Sequence, residues 1–554
     1  MCIKSDQTLL FPSKRGGVGC IPVPTDQKPM QTVPVEFRQV TSGWTAALYD
    51  PNFATPYIQN FTLAMTRSVG QNMTFDVRYI GTRGVKLFSS LPLNVRDFLH
   101  NGLKEAFDAA RAGQESALLD QMFKGMNIAG TGCNGVAGSA TCGPVGTVVN
   151  GVLQTGAMHL RAFTTTQTNL ANGNYTGLAG TLNTLNYNRS NSGNSGLPVI
   201  PTSVQGAVLR QNAFAENFIS PNPQFNTISI RDNLNTSNYR AMQAQVTMRP
   251  KHGMSYQGTF TWGSSMGSPP NGGFADPTNR REYGLLFGHR LYDFRSNGGI
   301  ELPFGPGKML MANSHGVLGR LVEGWKTDLI FQMTSGRPNT ITAQGNLYQG
   351  TGTPVITPEG VAAFGQFPTK FGQIIWEKDA VAGSYFPKDT FVRVQDPQCA
   401  NVTSLQNLNG SIGATTVNRC TLQALARPLP SGKTAAGQFT LPDGRQGVIV
   451  LRNPLPGERG TLGLNTMEGP GLWFLDAAMS KSIRIAEGKT LQIRVDAKNL
   501  LNHPTPDDPG QLTCGGLGTN LTLNSSTSDF GTIGGKCVAE SAARQFQASV
   551  RFSF

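Results

Sequence analysis

The last eleven residues of the chain alternate between apolar and polar side chains. Phe546, Val550 and Phe554 are among the apolar positions, and every second residue is Gln, Ser or Arg. A period of two residues is that of a β-strand with one apolar and one polar face. The length is that of a tilted strand crossing a bilayer, about 9–11 residues, and an edge strand of a soluble β-sandwich is the alternative.

The same alternation recurs in eight further segments of the chain. In Gln71–Tyr79, for example, Phe75 and Val77 alternate with Thr74 and Asp76. The pattern therefore predicts about nine strands. They are Tyr57–Arg67, Gln71–Tyr79, Tyr239–Arg249, Met254–Trp262, Leu291–Leu302, Trp325–Thr334, Leu472–Ile485, Leu491–Leu500 and Arg544–Phe554.

The connections between these segments alternate between short and long. Short turns follow Arg67, Arg249 and Ile485. Such a division of loop lengths is typical of outer-membrane barrels, so we expect an all-β fold, a transmembrane antiparallel β-barrel of which this chain forms about 9–12 strands. The C-terminus would be periplasmic, and the long loops, with short helices, would be external: 81–238, 264–290, 335–471 and 501–543.

The alternation also predicts which side chains face lipid and which face the interior of the barrel. We expect lipid contact for Phe61, Val77, Val246, Phe331, Val495 and Val550, and interior positions for Asp76, Gln245, Asp328 and Asp496. Aromatic girdles at the strand ends would include Tyr79, Trp262, Trp325 and Trp473. The interior charges Asp476, Arg494, Asp496 and Lys498 are interpreted as an ion-pair network rather than a catalytic site.

Composition supports a β-rich protein. Gly contributes 66 residues and Pro 34, while charged residues are 14% of the chain, against ~25% in typical domains. A helical bundle needs more Ala, Leu, Glu and Lys, and a disordered chain would have fewer aromatic residues. The net charge of +13 is not gathered into basic runs, so we expect no nucleic-acid partner.

The N-terminal region gives few signals. Residues 1–24 contain no apolar core of a signal peptide, and no stretch has the ~20 apolar residues of a membrane helix. We expect residues 1–56 to be a loop or partial strand from the upstream part of a barrel, with 32–40 as an imperfect strand. Residues 57–554 would be the C-terminal part of that barrel.

The eight cysteines suit an oxidising compartment, and none lies on a predicted strand. Each long loop that holds cysteines holds a sequence-local pair, so the expected disulfides are Cys133–Cys142, Cys399–Cys420 and Cys514–Cys537, with Cys2–Cys20 less secure. A metal site is the alternative, but the CxxC spacing of metal ligands is missing.

One passage, 95–126, has apolar residues at helical spacing. The two interpretations are a helical pair that packs on its own loop and a lid that contacts a ligand.

Catalytic motifs are not convincing in this chain. Residues 130–135 match GxGxxG but follow no strand, and the 431–434 run SGKT lacks the leading glycine of a phosphate-binding loop. The six histidines are scattered. We therefore expect no enzymatic activity, no cofactor and no metal.

Several segments resemble the Oar-like TonB-dependent receptors. The similar segments are Tyr57–Leu63, Val77–Gly84, Asn238–Ala244, Glu301–Gly305, Gly324–Trp325, Gly463–Gly471, Arg494–Pro504 and the terminal Phe554. The resemblance implies a barrel of about 22 strands around a plug that imports ligands with energy relayed by TonB. It also implies outer-membrane lipid, lipopolysaccharide and the β-barrel assembly machinery as partners, the last recognising Phe552 and Phe554.

This chain departs from that family at its front, where no TonB box, plug or carboxypeptidase-regulatory-like domain is recognised. We expect TonB to act only through such an upstream part, so that residues 1–554 alone would not import a ligand. The alternative function is a structural or adhesive surface barrel without transport. The sequence does not identify a ligand.

Overall fold

The structure of the protein is a computed structural model. It describes residues 2–3, 8–12, 18–22, 45–128, 142–149, 151–162, 164–185, 208–209, 212–215, 217–223, 227–251, 253–268, 283–345, 352–364, 375–376, 383–405, 419–503, 521–525, 530–533 and 543–554.

An antiparallel sheet with nine long strands in sequence order dominates the fold. Each strand pairs with its neighbours along the chain, and β1 and β9 form the two edges of the sheet within the described residues. All nine strands expected from alternation are present. They are β1 Tyr57–Val69, β2 Met73–Pro92, β3 Thr227–Lys251, β4 Met254–Gly267, β5 Tyr292–Glu301, β6 Trp325–Thr334, β7 Leu472–Ala486, β8 Lys489–Lys498 and β9 Gln545–Ser553.

The strand register confirms the two faces. Directly paired residues of an antiparallel sheet point to the same side. Val246 is aligned with Phe331 through Gly258 and Ser296, and Asp328 is aligned with Asp496 through Ala478. The six residues expected to face lipid all lie on one face, and the four expected inside all lie on the other. We call these the apolar face and the polar face.

Aromatic residues of the apolar face form a row across neighbouring strands. Tyr79 is aligned with Trp262 through Met242, and Trp262 is paired with Tyr292. Near the other end of the face, Trp325 begins β6, eight residues before Met333, which pairs with Trp473. At a tilt of 35–45°, eight residues span about 20 Å along the barrel axis, close to the ~25 Å apolar band of outer-membrane barrels.

Strands β2 and β3 are much longer than alternation predicts, at 20 and 25 residues. Their extensions pair with each other, with two register irregularities, and the short strand Thr45–Tyr49 adds to β3 in parallel. Side-chain hydrogen bonds hold this region, including Ser89 to Asp232 and Asn235 Nδ2 to Phe88 O. The extensions do not keep the alternation of apolar and polar residues, so the sequence pattern did not predict them.

Most of the buried apolar side chains lie in the long connections rather than in the sheet. We call the described residues of 93–226, 335–471 and 501–543 the cap. Its helices are α1 Leu103–Arg111, α2 Ala117–Met122, α3 Gly156–Ala162, α4 Thr164–Ala171, α5 Tyr175–Thr184 and α7 Pro358–Phe364, with a 3-10 helix at Pro397–Leu405. Helix α6, Gly316–Val322, lies in the β5–β6 connection.

The cap also contains a five-stranded sheet and several short strand pairs. The five strands are Val355–Ile356, Val392–Gln395, Gln423–Pro428, Phe439–Thr440 and Gln446–Arg452. The shorter strands of the cap are Asn127–Ile128, Cys142–Pro144, Val148–Val149, Val152–Leu153, Pro338–Asn339, Ile375–Trp376, Gly383–Ser384, Met467–Glu468 and Thr532–Ile533. Outside the cap, Gly284–Leu285 in the β4–β5 connection pairs with β4.

The helical passage expected at 95–126 is only partly helical. Helices α1 and α2 occupy its centre, and residues 95–102 are irregular although Phe98 is fully buried. The helices pack into a core shared with Cys399, Cys420 and Leu422 of the β6–β7 connection. Most residues of this core belong to the same long loop, so the helical pair packs on its own loop as expected, and the contact with the β6–β7 connection adds to it.

Near the N-terminus the strands Cys2–Ile3, Thr8–Pro12 and Val18–Pro22 form a small antiparallel sheet. Cys2 and Cys20 lie on its two outer strands, each paired with Leu10. The Cys2–Cys20 disulfide stays a prediction. Residues 32–40 lie outside the described residues.

No helix among the described residues combines the length and the apolar character needed to span a membrane.

Candidate functional site: the polar face and the cap

The polar face carries a chain of ion pairs that crosses three strands. Lys326 Nζ lies 2.9 Å from Asp328 Oδ1, and Arg494 lies 3.9 Å from the other oxygen of Asp328. Arg494 also binds Asp496 at 2.8 Å. Asp328 and Asp496 belong to strands two apart in the sheet, so the network depends on the register of the strand between them.

The composition of this network differs from the sequence expectation. Asp476 lies on the polar face, but its Oδ1 accepts the backbone N–H of Asn499 at 2.8 Å. Asn499 has a positive φ of 45°, which ends β8 and turns that N–H toward Asp476. Lys326 and Asp328 take part instead of Asp476 and Lys498, and the sequence could not show this because β6 is more than 130 residues from β7 and β8.

Further charges of this face are paired along their own strands. Arg78 binds Asp76, which also accepts a 2.6 Å hydrogen bond from Thr66, and Arg295 binds Asp293 at 2.9 Å. Opposite charges two residues apart on a strand point to the same side. The face is therefore a polar wall of matched charges that suits contact with water.

The three cap connections are held together by polar contacts as well as by their cores. Asn172 and Thr421, 249 residues apart, exchange two hydrogen bonds of 2.9 and 2.8 Å. A disulfide joins Cys399 and Cys420, with 5.5 Å between their Cα atoms, beside this contact. The disulfide thus shapes the segment that packs against the helices.

Asn453 is fully buried and binds residues of three different segments of the cap. Its backbone N–H donates to Asp396 Oδ2 at 2.8 Å, and its amide contacts Asn524 in both directions at 3.1 and 2.9 Å. Its Oδ1 also accepts the N–H of Gln344 at 2.9 Å. One buried amide therefore ties three segments that are distant in sequence, and the sequence offered no signal for it.

A cavity of about 370 Å³ lies between α1 and the 3-10 helix of the cap. Arg111 lines it, donating to Ala171 O at 2.9 Å and to Gln398 Oε1 at 3.1 Å. Arg452 and the carboxylates of Asp108 and Asp396 also line it. The wall of the cavity is mostly apolar with charges of both signs, so it suits a small ligand that has both apolar and polar groups.

Burial determines the electrostatics of this cavity. It lowers the pKa of the Arg111 guanidinium. Burial, followed by the charge of Asp108, raises the pKa of the Tyr175 hydroxyl, which donates to Asp108 at 2.6 Å. Lys104 binds the second oxygen of Asp108 at 2.7 Å, so this carboxylate is held by two donors. Sequence reasoning had placed 95–126 as a helix but had not singled out Arg111.

Some of the other expected site residues lie outside the described part of the chain, and the rest lie on strands or turns. Cys133, Cys514 and Cys537 lie outside the described residues, as does the run 130–135, and Cys142 begins a short strand. Ser431 to Thr434 form a turn rather than a strand-to-helix loop. Phe552 and Phe554 lie at the end of β9 with their rings 6.0 Å apart, and Phe554 is 94% exposed. Within the described part of the chain no cluster of three metal-binding side chains occurs.

Comparison with known proteins completes this description. A family model described as an outer membrane beta barrel domain matches residues 16–547. No curated protein matches the chain. Among solved structures, the chain is similar to the crystal structure of the outer membrane transporter YddB from Escherichia coli, with 7% identity and a TM-score of 0.28. That match covers 92% of this chain and 34% of the other, so the chain spans about a third of that structure's length.

Proposed function

This chain belongs to the family of outer membrane beta barrel domains, and on that premise we propose that it is part of a TonB-dependent receptor of the Oar-like type. In the intact receptor it would bind or take up a ligand with energy supplied through TonB. The cap would face the outside of the cell and the short turns would face the periplasm.

The single observation that carries the proposal is the division of the sheet into an apolar and a polar face. An apolar face suits lipid, and a polar face with paired charges suits the water-filled interior of a barrel. The Lys326–Asp328–Arg494–Asp496 network is the part of this polar face where paired charges of two strands meet.

The resemblance to the Oar-like receptors supports the finer part of the proposal. Its segments Val77–Gly84 and Asn238–Ala244 are paired with each other in β2 and β3. The segment beginning at Arg494 contains both the ion-paired Arg494 and the turn at Asn499. The resembling residues therefore include groups that shape the interior.

The cap cavity is the candidate site of first contact with a ligand. It is lined by residues from two connections, and Arg111 brings donors to it. We propose no catalytic step. The exposed C-terminal Phe552 and Phe554 would be recognised by the β-barrel assembly machinery, and lipid and lipopolysaccharide would surround the apolar face.

The test is ligand capture followed by uptake. Outer membranes from cells with and without the intact receptor are incubated in spent growth medium and washed, and mass spectrometry identifies what remains bound. Arg111→Ala is expected to lose the captured molecule, whereas Arg445→Ala, an exposed cap arginine paired with Asp443, is expected to keep it. Uptake of that molecule should then stop in cells without TonB.

Uptake that continues without TonB would contradict the TonB-dependent proposal. The alternative, an adhesive surface barrel, is favoured by the size and internal packing of the cap. It would be supported by capture without uptake in either background, together with cell adhesion that requires the cap.

A further inference from the structure

The connection between β5 and β6 exposes an unusual number of large apolar side chains. Met309 is 82% exposed and Val317 84%, and Leu321 and Leu318 are 64% and 53% exposed. Val317 and Leu321 are four residues apart on α6, so they share one side of the helix. We call these exposed apolar side chains of the 303–324 connection, together with Leu310 and Met311, the turn patch.

The turn patch belongs to a folded segment rather than to a loose loop. Leu310 N–H donates to Pro303 O at 2.8 Å, and Gly305 N–H donates back to Leu310 O at 3.0 Å. A side chain at Gly319 would meet Ser314 O at 3.1 Å and the Pro306 ring at 3.3 Å, so α6 packs closely on the preceding loop. The segment therefore presents its apolar side chains in a defined direction.

Two residues of the apolar face hold α6. The Trp325 indole donates to Leu321 O at 3.0 Å, and Lys481 Nζ donates to Leu321 O at 2.6 Å and to Glu323 O at 2.8 Å. Trp325 and Lys481 are directly paired across β6 and β7, and the ammonium lies 5.0 Å from the indole ring centre. The helix is therefore attached on the lipid side of the sheet and not under its interior.

The same contacts explain a charge on the apolar face. Lys481 is only 7% exposed, and its ammonium is satisfied by carbonyls at the C-terminal end of α6, where the helix dipole favours a cation. Ile300, on the apolar face, lies three residues before Pro303, where the connection begins. The apolar surface thus continues from the strands into the turn patch.

We propose that the 303–324 connection is an interfacial anchor whose turn patch lies at the headgroup–acyl boundary of the bilayer leaflet at the turn end of the barrel. Its occupant is phospholipid, because the patch continues the lipid-facing surface and is tied to it by Trp325 and Lys481. Apolar helix faces of this kind lie in the plane of a membrane interface. The anchor requires the outer-membrane location but not transport, so it goes beyond the proposed function.

The test places a fluorescent label in the turn patch of the full chain reconstituted into phosphatidylethanolamine–phosphatidylglycerol vesicles. Val317→Cys is labelled with the environment-sensitive dye NBD, and the chain without the added cysteine is treated alike as the blank. Val148→Cys is the matched control, because Val148 is an exposed valine of the cap at 66% exposure. Brominated phospholipid and aqueous iodide are the two quenchers.

Brominated lipid is expected to quench the label at 317 at least about twofold more than the label at 148, and iodide should show the reverse order. Equal access of iodide to both labels, without lipid quenching at 317, would overturn the anchor. A label at 317 that is shielded from both quenchers, and loses this shielding on dilution of the protein among vesicles, would assign the patch to a second copy and also overturn it.

Lys481→Met tests the attachment separately from the insertion. With its ammonium removed, α6 keeps the indole contact and the longer 3.4 Å hydrogen bond from Arg320 to Arg484 O, so iodide quenching of the label at 317 should rise. Unchanged iodide quenching in this variant would show that Lys481 does not hold the helix.

Discussion

Val246 and Gln245 are neighbours in β3 whose side chains lie on opposite faces of the sheet. Val246 lies five residues before the end of the strand at Lys251, which places it about 12 Å from the turn along the barrel axis, near the middle of the apolar band. Gln245 is paired with Asp76 on the polar face. Substitutions at Val246 and Gln245 therefore compare the apolar face with the polar face at the same depth in the barrel.

Val246→Arg is expected to lower the free energy of unfolding by roughly 2–4 kcal/mol, because a charge at mid-membrane must enter hydrocarbon. Gln245→Arg should cost much less, since the new guanidinium faces water and Asp76. Urea unfolding in lipid vesicles measures both. Equal losses for the two variants would count against the assignment of the faces.

His289 lies just before β5 and is the clearest pH-sensitive residue outside the membrane strands. Its Nδ1 accepts the backbone N–H of Ser265 at 3.1 Å, and burial lowers the pKa of its imidazole. A lowered pKa in the folded state means that the unfolded chain binds a proton more readily. The contribution to stability is therefore complete above the unfolded pKa of about 6.5 and is lost as the pH falls through the folded pKa.

The free energy of unfolding should accordingly fall between pH 7 and pH 5, and His289→Asn should reduce that fall while keeping a hydrogen-bond acceptor. Unfolding curves recorded at several pH values for both proteins measure the difference. His100, which is exposed beside Asp97, offers the control His100→Asn. A pH dependence that is identical in all three proteins would refute the role of His289.

At the scale of elements, the disulfide and the helices of the cap depend on each other. Cys399 and Cys420 are buried in the same core as α1, α4 and α5, and the closed loop spans 21 residues. In the chain-entropy model a loop of this length is stabilised by about 3 kcal/mol. The β-strands do not share this core, so the effect should stay within the cap.

Replacing both cysteines by serine is expected to speed hydrogen exchange in Leu103–Arg111 and at the Thr421 amide, which donates to Asn172. Exchange in Leu472–Ala486 serves as the internal control and should not change. Exchange that rises equally in the sheet would show that the cap and the sheet unfold together. Peptide mapping without reduction would also show whether the 133–142 and 514–537 pairs form.

At the scale of the whole molecule, the long connections after β2, β4, β6 and β8 leave the sheet at one end, and the tight turns and the β5–β6 connection leave it at the other. Two tight turns mark these ends. Gly444 in the cap and Gly488 between β7 and β8 both have positive φ, of 85° and 76°, and space around them. Because both turns have open space around them, we expect each to accept a short inserted sequence, and the two sites form a matched pair.

A short epitope inserted at Gly444 is expected to bind antibody on intact cells, and the same epitope at Gly488 only after the outer membrane is permeabilised. This outcome follows if the cap is external and the turns are periplasmic. Flow cytometry of both insertions measures it, with permeabilised cells as the control for expression. Binding at Gly488 on intact cells would reverse the proposed orientation.

The sequence by itself determined where the nine strands lie and which way their side chains point. Alternation is a local property, because residues i and i+2 of any strand share a face whatever it pairs with. It stopped short in β2 and β3, whose extensions do not alternate, and it missed α4 and α5, whose Thr- and Gly-rich sequences lack a clear apolar stripe.

Only the tertiary structure showed which residues contact each other in the cap and in the polar-face network. Asn172 meets Thr421, Arg111 meets Gln398, and Asp328 meets Arg494 across more than 160 residues of chain. Such contacts depend on which distant segments pack together and on the register between strands. A pattern of period two or 3.6 carries no information about either, because it describes one element and not its neighbours.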